Sequence, residues 1–366
     1  MNTVPDTTRT RIVYLDFART VAIFAVLAIH FLATYSGYVL PLFNGKSNLT
    51  AISSPIFFAV SGSALALTNP RSKPLNVGKF YRRRLLRIFP IFYLTYTICF
   101  VISFFLEHGF RSDVPIWHIL FTICGVDGLV LNFGVSSFYL VGEWFLGCIV
   151  MVYILFPIFH FLWRLPKWVL PSLLAVAFVI ACVTNVSFQV NNFFVMPLIC
   201  FGFGIVVFSR KPMWWGALAA VLVLAVITLA GIPWPFELAN VVFGCSVTYI
   251  LYFLGRAFDY LPPISRWLAW FSELSFAIIL THHIIITWMI SSWNPLGTGG
   301  RNVLLYVISW LLILTVASMA LKAMERRLLT WIDHTAVILK NLWRSPSKPI
   351  PMPRPEESAA VRPQVS

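Results

Sequence analysis

The sequence predicts an all-α integral membrane protein, a bundle of about ten transmembrane helices with both termini in the cytoplasm. Three observations predict it. Hydrophobic residues make up 59% of the 366 residues and charged residues only 11%, against about 45–50% and about 25% in soluble proteins. Ten apolar stretches approach the roughly 20 residues that a spanning helix needs. The basic residues gather between alternate stretches, as the positive-inside rule requires. The first observation alone excludes a soluble domain and a disordered chain.

The ten stretches are 13–35, 50–67, 88–106, 138–163, 168–187, 193–209, 213–231, 236–255, 267–292 and 302–323. The first is too long for a cleaved signal peptide, holds Arg19, and is followed by no small-residue cleavage site. With the N-terminus inside, the cluster Arg71, Lys73, Lys79, Arg82, Arg83, Arg84 and Arg87 lies in the cytoplasm. Arg164 with Lys167, Arg210 with Lys211, Arg256 with Arg266, and Lys322 with Arg326 and Arg327 follow on the same side. Of 27 Lys and Arg, only Lys46, Arg111 and Arg301 fall outside, and Arg19 lies within a span. The stretch 116–131 is short and broken by Gly125, Asp127 and Gly128. Counted as a further span it would move Arg164, Lys167, Arg210 and Lys211 outside, so it reads as a re-entrant or interfacial piece of an outer loop, 107–137.

The net charge of +14 therefore reflects topology and attraction to anionic lipid, and no nucleic-acid partner is expected. The domain reading is a cytoplasmic segment 1–12, a transmembrane domain 13–325, and a cytoplasmic, mostly disordered tail 326–366, Pro-rich over 345–366. The six Cys fall in apolar stretches without paired spacing, which argues against a disulfide framework and a zinc site. No metal is expected. Matching halves with paired broken helices, which many transporters would show, are not evident. A multi-pass protein of the cell (inner or plasma) membrane, with the lipid bilayer as its constant partner, is the expectation.

Ionisable residues within spans are costly and mark functional sites. In the first span Arg19 and His30 share a helical face, within about 20° of one another and roughly 16 Å apart along the axis; Asp16, three positions before Arg19, can pair with it. In the second, Ser61–Gly62 suits close helix packing, and Ser61 is also a donor-site candidate. Arg84 and Arg87, three apart at the cytoplasmic mouth of the third span, suit bidentate phosphate contacts, or else anchor the topology. Glu143 falls about 7–8 Å below the outer edge if its span starts near 138. In the ninth span Glu273 lies in the inner half, His282 and His283 in the outer half. Adjacent histidines point about 100° apart, so at most one is expected to share a given site, the other being structural. Counted by depth, Arg19, Ser61, Glu273, Arg84 and Arg87 form a basic inner end, with His30, Glu143 and His282 in a titratable outer layer.

These residues resemble a known family. Arg19-x10-His30, the run from Phe57 to Gly62, Arg84-x-x-Arg87, the segment from Trp144 to Pro157 and that from Leu274 to His282 are similar, in order, to motifs of the acyltransferase family 3 membrane proteins. The resemblance covers about residues 11–325. It implies transfer of an acyl group, commonly acetyl, from cytoplasmic acyl-CoA to a hydroxyl of an extracytoplasmic glycan or lipid-linked saccharide. It implies that His30 is the essential histidine with Arg19 its partner, that Arg84 and Arg87 meet the CoA phosphates, and that His282 rather than His283 is the late histidine. Phe276 and Ile279 stand where tyrosines often precede that histidine, and an extracellular hydrolase-like domain carried by many members is not evident. His30 could act as general base or carry the acyl group, with Glu143 orienting or recharging it. The competing readings are a transporter of a glycan, lipid or proton and, among enzymes, succinyl transfer.

Overall fold

A computed structural model describes residues 12–36, 41–42, 47–106, 114–141, 143–184, 187–207, 212–229, 236–293 and 300–344, the side chains of a few element ends apart. The chain divides into two compact units, Met1–Glu325 and Arg326–Ser366. Each of the ten apolar stretches coincides with a helix: α1 Val13–Ser36, α2 Leu49–Thr68, α3 Val77–Leu106, α4 Glu143–Arg164, α5 Val169–Thr184, α6 Met196–Val207, α7 Trp214–Leu229, α8 Phe236–Gly255, α9 Pro262–Ser292 and α10 Gly300–Arg344. Six of these are long and apolar enough to cross a membrane, and shorter apolar helices occupy α2, α5, α6 and α7. The protein is an all-helical, multi-pass membrane protein. Among the described residues the strands are the two-residue pair Pro41–Leu42 and Ser47–Asn48, antiparallel.

Packing separates a buried seam from a lipid-facing one. Tyr306, Trp310 and Leu314 of α10 are each 1% exposed at four-residue spacing, whereas Leu304, Leu305, Ile308, Leu312 and Val316 are exposed. The first set forms one helical stripe, and the second makes a broad apolar surface that only lipid would solvate. α2 and α6 touch backbone to backbone. A Cβ on Gly62 would collide with the Phe201 carbonyl, and one on Gly204 with the Ala59 carbonyl. Small residues permit this approach where the membrane supplies little hydrophobic drive for helix association. Gly62→Ala or Gly204→Ala should therefore destabilise the detergent-solubilised protein by about 1–3 kcal/mol, despite alanine's better helix propensity. Gly300→Ala, which meets nothing within 4 Å, should not; thermal melts of the three variants check this.

Two sequence expectations change, while 116–131 stays short of a span, as its breaks at Gly125, Asp127 and Gly128 predict. The stretch 116–131 folds as the short helical pieces Ile116–His118, Ile119–Cys124 and Asp127–Leu131, with Gly125 left-handed at φ 68°. None approaches the length of a span. The fourth stretch is described as helical from Glu143, and residues before it are tied into the preceding loop. Tyr96 donates to the Phe138 carbonyl at 2.8 Å, His118 Nδ1 meets the Ser136 carbonyl, and Ser137 reaches Asp127 O. Glu143 is thus at the helix start, not about 7–8 Å into a span, and its side chain lies outside the described residues. Finally, α10 runs on to Arg344. Residues 326–344 are therefore helical and not part of a disordered tail, as Leu328, Leu329 and Ile332 spaced among Arg326, Arg327 and Asp333 allow. The Pro-rich 345–366 lie outside the described residues.

Candidate functional site

Helices α1 and α9 run parallel and in register, and this brings together what the sequence scatters. Arg19 Nη1 donates to Ser272 Oγ at 2.7 Å, with Asp16 Oδ1 3.7 Å from the same nitrogen. Eleven residues further along α1, His30 faces His282, ring centroids 4.6 Å apart, and His283, 5.5 Å away. Ala18 and Ala22 on α1 are both fully buried, small residues of the kind that let membrane helices approach closely.

Two chambers follow from this pairing. The histidine chamber, about 40 Å³, is lined by His30, His282 and His283 with Ser53, Ser54, Tyr139, Trp144 and several apolar side chains. The arginine chamber, about 150 Å³, is lined by Arg19, Arg84, Arg87 and Lys322 together with Ser61, Tyr153, Ser272, Glu273 and Ser275. Phe57, Phe145 and Ile279 belong to both linings, so the chambers meet across these three side chains. The arginine chamber adjoins a third, more polar pocket of about 400 Å³, lined by Thr68, Asn69, Asn76, Lys79, Phe80, Arg83 and Arg84. A larger apolar cavity of about 530 Å³ between α5, α6, α7 and α8 holds none of the charged side chains. It is remote from this chemistry.

Arg19, Ser61, Arg84, Arg87 and Glu273 share one chamber and His30 and His282 the other; the Glu143 side chain, expected beside the histidines, lies outside the described residues. Arg19 and His30 are accordingly in adjoining chambers and not in contact. One expectation is corrected. Both His282 and His283 line the histidine chamber, because His30 sits across from α9 between their two directions, within ring-contact distance of each.

The electrostatics of His282 are set by its own helix. Its Nδ1 lies 2.8 Å from the Ile279 carbonyl and 3.2 Å from that of Ile278. A carbonyl only accepts, so Nδ1 carries the proton and Nε2 presents a lone pair. That Nε2 is buried without a hydrogen-bond partner among the described residues. On the arginine side, the Arg84 guanidinium lies 5.8 Å from the Phe80 ring centre and 5.6 Å from that of Tyr153, in cation–π contact with both. Its Nε is likewise buried without a partner among the described residues. Among those residues Arg84 alone lines both the arginine chamber and the polar pocket.

Sequence reasoning missed Ser53, Ser54, Tyr139 and Trp144 beside the histidines, and Tyr153, Ser272 and Lys322 beside the arginines. Ser and Tyr are common in membrane helices and carry no signal until a neighbour on another helix is known. Lys79 and Arg83 had a signal, since they belong to the run that contains Arg84, but a run of like charges speaks first of sidedness.

A family model described as an acyltransferase domain matches residues 12–323. No curated protein and no solved structure matches the chain.

Proposed function

Because the chain belongs to acyltransferase family 3, we propose that it is a membrane O-acyltransferase moving an acetyl group from cytoplasmic acetyl-CoA to a hydroxyl of an extracytoplasmic glycan or lipid-linked saccharide. The observation that carries this reading is the adjacency of a cationic chamber and a histidine chamber. Nucleotide phosphates suit the first; a hydroxyl awaiting deprotonation suits the second. Lys79, Arg83 and Arg84 around the polar pocket favour a polyanionic donor, which a carrier of neutral glycans does not need.

In this mechanism the acceptor hydroxyl approaches His30. A neutral imidazole removes its proton as the oxygen attacks the thioester carbonyl. Collapse of the tetrahedral intermediate breaks the carbon–sulfur bond, giving the acyl ester and CoA thiolate, which takes up the proton. His282, whose Nδ1 is committed to carbonyls of its own helix, packs its ring edge-on against His30 and helps to hold the base in place. Acetyl is favoured over succinyl by charge. The described lining of the histidine chamber contains no Lys or Arg, so a succinyl carboxylate would be buried there without a cation. Arg19, held by Asp16 and Ser272, belongs to the donor side.

All ten helices are spans in this reading, the four shorter ones included, with both termini and 68–87 in the cytoplasm and 107–137 outside. Cysteine labelling of intact cells tests it. A substituted Ser112 should react with an impermeant reagent and a substituted Ser72 should not; the reverse pattern would sink the topology. The activity is tested by incubating membranes that hold the protein with radiolabelled acetyl-CoA. Label should enter saponifiable saccharide material, and its absence would return the transporter reading.

A further inference from the structure

We propose that Phe57, Phe145 and Ile279 form an acyl-length gauge that confines the donor to a two-carbon acyl group, an inference that rests on the acyl-CoA reading above. These three side chains are the ones common to the two chambers. Each comes from a different helix, α2, α4 and α9, and each is buried, at 6%, 8% and 7% exposure. A thioester whose nucleotide is held on the arginine side must present its acyl carbon to His30 past this wall.

The space beyond the wall is small. A cavity of about 40 Å³ holds about three water-sized groups. An acetyl group has three heavy atoms. A butyryl group adds two methylenes, and the wall is poorly placed to yield to them. The Phe145 ring packs on Phe57 and Phe58 at 5.4 Å each and on Trp144 at 6.1 Å. Turning it aside would displace core aromatics from α2 and α4 together, which a close-packed interior resists.

Rejection of a longer chain is therefore steric, and it can be read as a ratio of rates. Discrimination by one methylene in a pocket amounts to about tenfold or more, so acetyl should exceed butyryl by about a hundredfold. Membranes holding the full chain, with their native acceptor, are supplied with radiolabelled acetyl-, propionyl- or butyryl-CoA, and incorporation is corrected by a His30→Ala control. Phe145→Leu and Ile279→Ala should each lower the acetyl-to-butyryl ratio about tenfold or more, by gaining butyryl transfer and not merely by losing acetyl transfer. A damaged protein cannot produce that gain. In any variant that has lost transfer, displacement of bound acetyl-CoA by butyryl-CoA reads the same preference, and displacement no better than in the unaltered protein counts against the gauge. Unchanged ratios in variants that still transfer acetyl, or equal use of acetyl and butyryl by the unaltered protein, would overturn the gauge and leave the acyltransferase reading standing. Failure of the unaltered protein to incorporate label from any acyl-CoA would overturn both.

Discussion

His30→Ala should abolish acyl transfer while leaving the protein inserted and folded. His30 is half-buried on α1 and meets His282 and His283 in the histidine chamber. Loss of a general base costs about 10²–10⁴-fold in rate, and loss of an acyl carrier costs the covalent route altogether. Removing an imidazole from a polar chamber leaves the helix interfaces intact, since α1 packs through Ala18, Ala22 and Ile23. The measurement is transfer of labelled acetyl in purified His30→Ala whose melting curve matches the parent. A rate near the parent's would remove His30 from the mechanism. Trapping labelled acyl on the parent protein in the absence of acceptor separates a carrier from a base.

The second large effect is expected at Arg84. It is the residue common to the arginine chamber and the polar pocket, it is clasped between Phe80 and Tyr153, and its buried Nε has no partner among the described residues. A donor phosphate would satisfy that group. Losing a hydrogen bond to a charged group costs about 1.5–3 kcal/mol. Arg84→Ala should thus raise the KM for acetyl-CoA about tenfold or more, while turnover at saturation falls less. Arg87 is exposed and lines the arginine chamber alone, so Arg87→Ala should have the smaller effect. Lysine should restore only part of the loss at Arg84, because a point charge replaces neither the planar fork nor its stacking between two rings. Titration of acetyl-CoA against purified parent, Arg84→Lys and Arg87→Lys decides it. Equal affinities would leave both arginines as topology anchors.

Legible in the sequence were the features that the bilayer imposes locally. Helix length and apolar composition follow from its thickness and from the need to satisfy every backbone group within a segment; each of the ten apolar stretches coincides with a helix. Helical rise is constant, so counting residues from an edge groups Arg19, Ser61, Arg84, Arg87 and Glu273 apart from His30, Glu143 and His282, and the two chambers divide those residues the same way, Glu143 lying outside the described side chains. The order of the motifs around those residues made the family recognisable, and the family is the one the chain belongs to.

Tertiary structure decided whatever depends on a neighbour distant in the chain. Whether His282 or His283 faces His30 is set by how α9 is rotated against α1, and the rotation admits both. The register that places Arg19 on Ser272 joins positions far apart in sequence, with no local pattern to announce it. The loop before α4 is held by hydrogen bonds from Tyr96 and His118, partners well removed along the chain. Phe57, Phe145 and Ile279 read as ordinary apolar residues until three helices close around them and make them one wall. Periodicity and depth are properties of a single helix in its solvent; a chamber is a property of the contacts between helices, and only packing defines it.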